Sequence, residues 1–322
     1  MTSAMCAFER CSFLVTGGAG FIGSHLVQEL VSRGHSVRVL DNFSTGRREN
    51  LAHLTGRVEV VDADVRDAGV VREAVRDIDY VLHQAALPSV TRSVHDPVSS
   101  NEVNVAGTLN VLVAARDEGV RRVVYASSSS VYGDSPLLPK QEDMPTNPLS
   151  PYAVSKLAGE NYCRSFYRVY GLPTVCLRYF NVFGMRQDPN SQYAAVIPRF
   201  IVAALGGQPL RVYGDGTQSR DFTYVANVVR ANLLACVQDA AIGQVINVAC
   251  GERHSLLDLI GLLRCILQRD LIVDYERARP GDVQHSLADI TRAREVLGYD
   301  VVADFKTGLT RTAEWYRENV VR

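Results

Sequence analysis

Short runs of apolar, mostly β-branched residues recur through the first 180 positions of the chain, and longer amphipathic stretches separate them. Phe13–Val15, Val37–Leu40, Val58–Val61, Tyr80–His83, Val123–Ala126 and Thr174–Leu177 predict buried strands, because polar residues scarcely interrupt them. Gly23–Arg33, Val98–Arg116 and Tyr152–Val169 predict the helices between them. This alternation implies a parallel sheet covered on both faces, a doubly wound α/β architecture.

The rhythm changes after Tyr179. Loops rich in Gly, Pro, Asn and Asp appear at Gly184–Gln192, Gly206–Gln218 and Glu276–Val283, with shorter helices between them. One later apolar run, Val245–Val248, predicts a strand that returns to the main sheet. The expected organisation is a first domain over residues 1–180 with a return segment near 218–250, and a smaller α/β lobe over 181–322.

Composition narrows the function classes. At 47% hydrophobic and 21% charged residues, the 322-residue chain has a globular balance rather than a disordered one. A net charge of -1 offers no bulk attraction to nucleic acid or to an anionic membrane, so any cation that meets a phosphate has to be placed locally. The seven cysteines (Cys6, Cys11, Cys163, Cys176, Cys236, Cys250, Cys265) are odd in number and scattered, which argues against a disulfide framework or a zinc site and predicts a reduced compartment. Glu9 and Arg10 interrupt the N-terminus where a signal peptide needs an apolar core, and no apolar run reaches bilayer-spanning length. The expectation is a soluble, cytoplasmic protein without a metal.

The first strand runs directly into Thr16-Gly17-Gly18-Ala19-Gly20-Phe21-Ile22-Gly23, which also opens the first helix. In this spacing Gly17 permits a tight turn, Gly20 lets backbone approach a pyrophosphate, and Gly23 lets the helix pack on the strand. The pyrophosphate would face the N–H groups and positive dipole end of that helix. Asp41 ends the second strand, 24 residues after Gly17. A carboxylate there accepts bonds from an adenosine ribose and repels a 2′-phosphate, which favours NAD over NADP, although Arg47 and Arg48 stand nearby. Asp64 and Val65 end the third strand where an adenine ring would lie. The competing reading is an ordinary glycine turn beside a solvated aspartate. With the two features together, a Rossmann-type dinucleotide site is the reading taken.

Tyr152 and Lys156 stand one helical turn apart, on one face of the predicted helix. A tyrosine ordinarily ionises near pH ~10, too high for a neutral-pH base, and a neighbouring ammonium would stabilise its phenolate. Such a tyrosine could exchange a proton with a sugar hydroxyl. Taken alone, Y-x-x-x-K is more often an ordinary helical pair. Here a strand end upstream carries Ser127 through Ser130, hydroxyls at the edge where doubly wound sheets bind ligands.

These motifs, with Asp41-Asn42-Phe43-Ser44-Thr45-Gly46, Arg178-Tyr179-Phe180-Asn181-Val182-Phe183-Gly184, Ser219 through Val225 and Arg279 through Val283, resemble the extended short-chain dehydrogenase/reductase family. Within it the likeness is to the UDP-glucose/UDP-N-acetylglucosamine 4-epimerases, and it runs from about Phe13 to Tyr299. The resemblance implies that Ser128 assists Tyr152, with Lys156 as their partner. For NAD it implies Gly17, Gly20, Phe21, Ile22, Gly23, Asp41, Asn42, Ser44, Thr45, Gly46, Asp64, Val65, Ala85, Ala86, Asn104, Tyr152, Lys156 and Tyr179. For the substrate it implies Asn181, Arg220 and Arg279 at the UDP phosphates, Tyr213 on uracil and Asp282 at the ribose. Ser89, Ser128, Ser130, Tyr152, Tyr193, Val196 and Ser286 would lie near the sugar or beside it.

Dehydratases and decarboxylases of the family carry an acidic residue before V-Y-G, and this chain has only hydroxyls there. That points to epimerisation at one carbon. In this family one position controls room for a 2-acetamido group, and the resemblance puts Ser286 there, where tyrosine would narrow the pocket. The run from Arg186 to Pro198 also resembles the branch that prefers N-acetylated sugars, so the resemblance implies UDP-GlcNAc/UDP-GalNAc, with UDP-Glc/UDP-Gal as a second pair. A uronic-acid epimerase, with Arg92 meeting the carboxylate, and a non-catalytic NAD-binding protein of the same fold are the alternatives. Family likeness also implies a homodimer.

Overall fold

Each predicted apolar run becomes a strand of one sheet. The protein is described by a computed structural model covering residues 10–189, 195–277 and 284–320. The first six strands are β1 (Ser12–Thr16), β2 (Ser36–Asp41), β3 (Glu59–Asp62), β4 (Tyr80–His83), β5 (Arg122–Ser128) and β6 (Thr174–Tyr179). Four short strands follow, β7 (Val182–Phe183), β8 (Leu210–Tyr213), β9 (Ser219–Arg220) and β10 (Thr223–Tyr224), before β11 (Val245–Val248) returns to the main sheet. The seven-stranded order is β3-β2-β1-β4-β5-β6-β11, all parallel. The order reverses between β1 and β4, and outside the carboxyl ends of those strands a doubly wound sheet opens a crevice.

Alternation along β1 shows how the layers form. Phe13 and Val15 face one side, against Leu26, Val27 and Leu30 of helix α1 (Phe21–Ser32) and against the later residues Val228 through Cys236. Leu14 faces the other side, towards α2 (Ala68–Val75) and residues such as Val111, Leu112 and Phe166. All three strand residues are fully buried, and each such burial stabilises by ~1.5–3 kcal/mol. The predicted third strand is real but is not buried: β3 pairs only with β2 at the sheet edge, and Val60 is 41% exposed.

The predicted helix Val98–Arg116 is interrupted. Short helices α3 (Val90–His95) and α4 (Pro97–Asn101) lead into a π-helical turn, Glu102–Ala106, before α5 (Gly107–Asp117). Apolar periodicity carries no mark of such a turn, because the residues on either side keep facing the core. The next helix, α6 (Pro151–Tyr170), has clear local causes: Ser150 accepts from the Ala153 N–H, Pro151 sits at the first position, and Gly171 ends the helix at φ 71.

A separate apolar cluster joins Phe183 and Phe222 to helices α7 (Val196–Leu205), α9 (Leu256–Leu267) and α10 (Phe305–Asn319). Helix α8 (Val225–Val237), between α7 and α9, packs with β11 into the main core. The small pairings β7 with β10, β9 with β12 (His254–Ser255) and β8 with β13 (Val273–Glu276) brace the later segments. Among the described residues no helix is long and apolar enough to cross a membrane.

Candidate active site

The strand ends and the later segments meet around one cleft of about 1210 Å³. On one side lies the glycine-rich turn. Gly17 adopts φ +67, and a Cβ there would sit 2.7 Å from the Ala85 nitrogen, so the turn after β1 and the loop after β4 touch only because the residue is glycine. A Cβ at Gly23 would collide with the Gly17 carbonyl oxygen. Gly20, Phe21, Ile22, Ala85 and Ala86 line the same wall.

Asp41 holds this wall together. Its carboxylate accepts from the Ala19 N–H at 2.9 Å and from the Phe43 N–H at 2.8 Å, while burial holds its pKa above the ordinary carboxylate value. Ser44, Thr45 and Gly46 continue the rim, with Asn42 donating to Asp64 at 2.7 Å. Arg66 pairs with Asp64 at 2.9 Å and holds its pKa below the ordinary value, and Val65 completes that corner. The two arginines that complicated the ribose reading are both engaged: Arg47 pairs with Asp188 at 2.8 Å, and Arg48 with Asp62. The residues therefore fit NAD: a glycine cradle for its pyrophosphate, a fixed carboxylate for its ribose, and engaged cations where a 2′-phosphate would go.

Across the cleft, β5 ends in Ser128 and α6 begins with Tyr152. Tyr152 is anchored by its backbone N–H on Ser93 Oγ at 3.0 Å. Its side chain is half-buried, and burial raises its pKa above the tyrosine norm, opposed by a hydrogen bond with Ser128. The expected depression by Lys156 is not what dominates. The Lys156 ammonium lies 6.0 Å from the Tyr152 ring centroid and donates to the Ala126 carbonyl at 2.8 Å. Its own pKa falls to about 8, chiefly through burial, with Cys163 and Glu160 acting the other way. Ser128 Oγ also accepts from the Ser130 N–H at 3.2 Å, whereas Ser130 Oγ is buried without a hydrogen-bond partner among the described residues. An orphaned hydroxyl on a cleft wall is suited to a ligand.

Behind the serines lies a buried ion pair that the sequence did not flag. Arg178 grips Glu160 with two bonds of 2.8 Å, and Glu160 also accepts from Ser127. Its guanidinium sits 4.7 Å from the Tyr132 ring, and the Tyr132 hydroxyl donates to Asn247 at 2.7 Å. This fork fixes the β5 end from beneath, and Glu160 itself does not line the cleft.

The remaining wall comes from later segments. Tyr179, Asn181, Arg220 and Ser286 line it together with Ser89. Asn181, at φ 36, donates to the Asp221 carbonyl, and Ser286 donates its N–H to the Ser219 carbonyl at 3.0 Å. The buried Asp221 carboxylate knots these pieces by accepting the N–H groups of Cys250, Gly251 and Ala288. Three expected residues do not line the cleft. Asn104 spends its amide on Leu87 and Ser155 behind it; Val196 opens α7, one residue past the lining Ala195; Tyr213 ends β8 against Glu276. Tyr193, Arg279 and Asp282 fall outside the described residues. Gln84, Lys140 and His285 line the wall without having been singled out for it; only Gln84, beside Ala85 at a strand end, carried a positional signal. Among the described residues no three His, Cys, Asp or Glu side chains gather as a metal site.

The sequence matches the profile of the NAD dependent epimerase/dehydratase family over residues 13–249. It is 42% identical over 310 residues to the UDP-glucose 4-epimerase of Mycolicibacterium smegmatis, covering 94% of this chain and 98% of that one. It is 36% identical over 321 residues to the UDP-N-acetyl-alpha-D-glucosaminuronate decarboxylase of Bacillus cytotoxicus, covering 96% and 98%. Among solved structures, the UDP-N-acetylglucosamine 4-epimerase from Methanobrevibacter ruminantium M1, in complex with UDP-N-acetylmuramic acid, superposes with a TM-score of 0.93 at 41% identity, covering 97% of this chain and 100% of that chain.

Proposed function

The chain belongs to the NAD-dependent epimerase/dehydratase family, with NAD as its cofactor, and on that premise we propose that it is a UDP-hexose 4-epimerase. Its proposed substrates are UDP-GlcNAc and UDP-GalNAc, with UDP-Glc and UDP-Gal as a second pair. One observation carries the choice of reaction. The carboxylates that line the cleft among the described residues are Asp41, Asp64 and Asp188, each bound to backbone amides or an arginine on the cofactor side. Beside Tyr152 stand only hydroxyls, so no described acid is placed to expel water from the sugar, and chemistry with one proton at one carbon remains.

Bound in the cradle, NAD supplies a reversible hydride acceptor. Tyr152 takes the 4′-hydroxyl proton as that carbon is oxidised, and Ser128 steadies the oxygen. Arg220 and Asn181 anchor the UDP while the 4-keto sugar turns over. Tyr152 would then return the proton to the same oxygen, so that the reaction would end with no net redox change. Lys156 stays cationic near neutral pH and favours the phenolate.

Ser286, half-buried on the wall, leaves room for an acetamido group. A second reading, a uronic-acid substrate, rests on Arg92: it is half-buried on the cleft wall, and no carboxylate among the described residues pairs with it. Proton NMR of purified enzyme with UDP-GlcNAc, UDP-Glc and UDP-glucuronic acid separately tests both. Galacto signals from the first two support the proposal, signals from the third alone replace it with the second reading, and none from any sugar with NAD supplied defeats both.

A further inference from the structure

A chain of hydrogen bonds runs under the floor of the cleft and ends at the catalytic helix. The Ala85 N–H donates to Thr16 Oγ1 at 3.2 Å, Thr16 Oγ1 meets His83 Nδ1 at 2.7 Å, and His83 Nε2 meets Thr108 Oγ1 at 2.9 Å. Thr108 Oγ1 donates to the Asn104 carbonyl at 2.7 Å. The Asn104 amide donates to Ser155 Oγ at 3.0 Å, and Ser155 donates to the Tyr152 carbonyl at 2.8 Å.

The protons in this chain can be counted. Thr108 has one hydroxyl proton and gives it to Asn104, so towards His83 it accepts, and His83 Nε2 carries the hydrogen. Nδ1 then accepts from the Thr16 hydroxyl, whose oxygen is left to receive the Ala85 N–H. A cationic imidazole would strand the Thr16 proton. His83 is 1% exposed, so no water replaces a lost partner there.

We infer that His83, locked as its neutral Nε2–H tautomer, is a positioning residue that couples the glycine-rich turn to the helix bearing Tyr152. Burial and the Lys156 charge hold its pKa down to about 3, consistent with a neutral ring. The Tyr125 ring neighbours both groups, its centroid 5.8 Å from the imidazole and 5.1 Å from the ammonium. The π-helical turn Glu102–Ala106 contributes by bringing Asn104 opposite Ser155 in the same stretch that Thr108 caps. The inference rests on the proposed role of Tyr152, and its test separates the two.

Nitrogen-15 NMR of the NAD-loaded enzyme reads the imidazole directly. The Nε2–H form is expected, and an Nδ1–H or cationic ring would overturn the lock. In kinetics, Thr108→Val is expected to lower kcat by roughly 10- to 100-fold with KM unchanged, since small displacements of a catalytic group cost that much. Thr108→Ser, which keeps the hydroxyl, should restore kcat. A folded, NAD-bound Thr108→Val enzyme with unaltered kcat would overturn the coupling; should that variant not fold, the imidazole spectrum and a wild-type-like kcat for Thr108→Ser still decide. A wild-type enzyme that shows the Nε2–H ring but epimerises no nucleotide sugar would refute the proposed reaction and leave the lock supported.

Discussion

The two walls of the cleft are built differently. On the wall proposed for the cofactor the charged side chains are already engaged: Asp41 by two backbone amides, Asp64 by Arg66 and Asn42, Arg47 by Asp188. On the wall proposed for the sugar groups are left open among the described residues, with Ser130 Oγ buried and partnerless and Arg92 without a carboxylate. A wall that is complete before the ligand arrives binds one ligand and keeps it. A wall with open groups is completed by the molecule that reacts. The difference suits a cofactor that stays and a sugar that must turn.

Tyr152 stands on the seam between the walls, so its loss should separate them most sharply. Tyr152→Phe is expected to lower kcat by roughly 10²- to 10⁴-fold, the range for a positioned acid/base group. Bound NAD, read by absorbance of the denatured enzyme, should be retained. Loss of the cofactor together with activity would mean that the residue supports the completed wall instead.

Lys156 offers the next test, through pH. Its folded pKa is lowered from 10.5 to about 8, so below pH 8 the charge is carried in both folded and unfolded states and the fold bears the full burial cost. Between about pH 8 and 10.5 the folded protein has released a proton that the unfolded chain still holds, and stability rises with pH. Relative to Lys156→Met, the wild type should gain about 3 kcal/mol across that window in urea titrations. A flat difference would show that the ammonium is not desolvated.

The cofactor wall was legible in the sequence for a physical reason. Its parts are strand ends, and the strands announce themselves as apolar runs, so Gly17, Asp41 and Asp64 could be placed by counting from β1, β2 and β3, as Ser128 across the cleft could from β5. The sugar wall follows from no such count. Arg220 and Ser286 meet because Asp221 knots three distant backbone segments, and nothing local in the chain encodes that. The Glu160–Arg178 pair was equally hidden, since two charges 18 residues apart look like solvated surface until a sheet closes over them. The edge position of β3 and the π-helical turn were missed because hydrophobic pattern reports burial tendency, not neighbours.

Asp41→Asn tests whether the finished wall depends on the carboxylate. One of the two accepting oxygens becomes an NH₂ that faces a backbone N–H, a mismatch worth about 1–3 kcal/mol. That cost falls on the fold; towards NAD the amide replaces a charged acceptor by a neutral one, a difference of roughly 1–2 kcal/mol, so affinity should fall roughly 5- to 30-fold, measured by titrating stripped enzyme. Unchanged affinity would show that the backbone turn alone binds the cofactor.

The smallest expected effect is the one that speaks to substrate choice. Ser286 lies on the open wall, and its backbone is pinned by the Ser219 carbonyl, so a larger side chain at this position cannot readily withdraw along the chain. Ser286→Tyr should therefore lower kcat/KM for UDP-GlcNAc by roughly 10-fold relative to UDP-Glc, the scale on which a pocket discriminates by size alone. Because the residue lines the opposite wall from the glycine-rich turn, NAD retention should not change. If both sugars lose activity equally, position 286 closes the cleft without reading the 2-substituent. The specificity would then have to come from elsewhere on the open wall, with Arg92 as the first candidate.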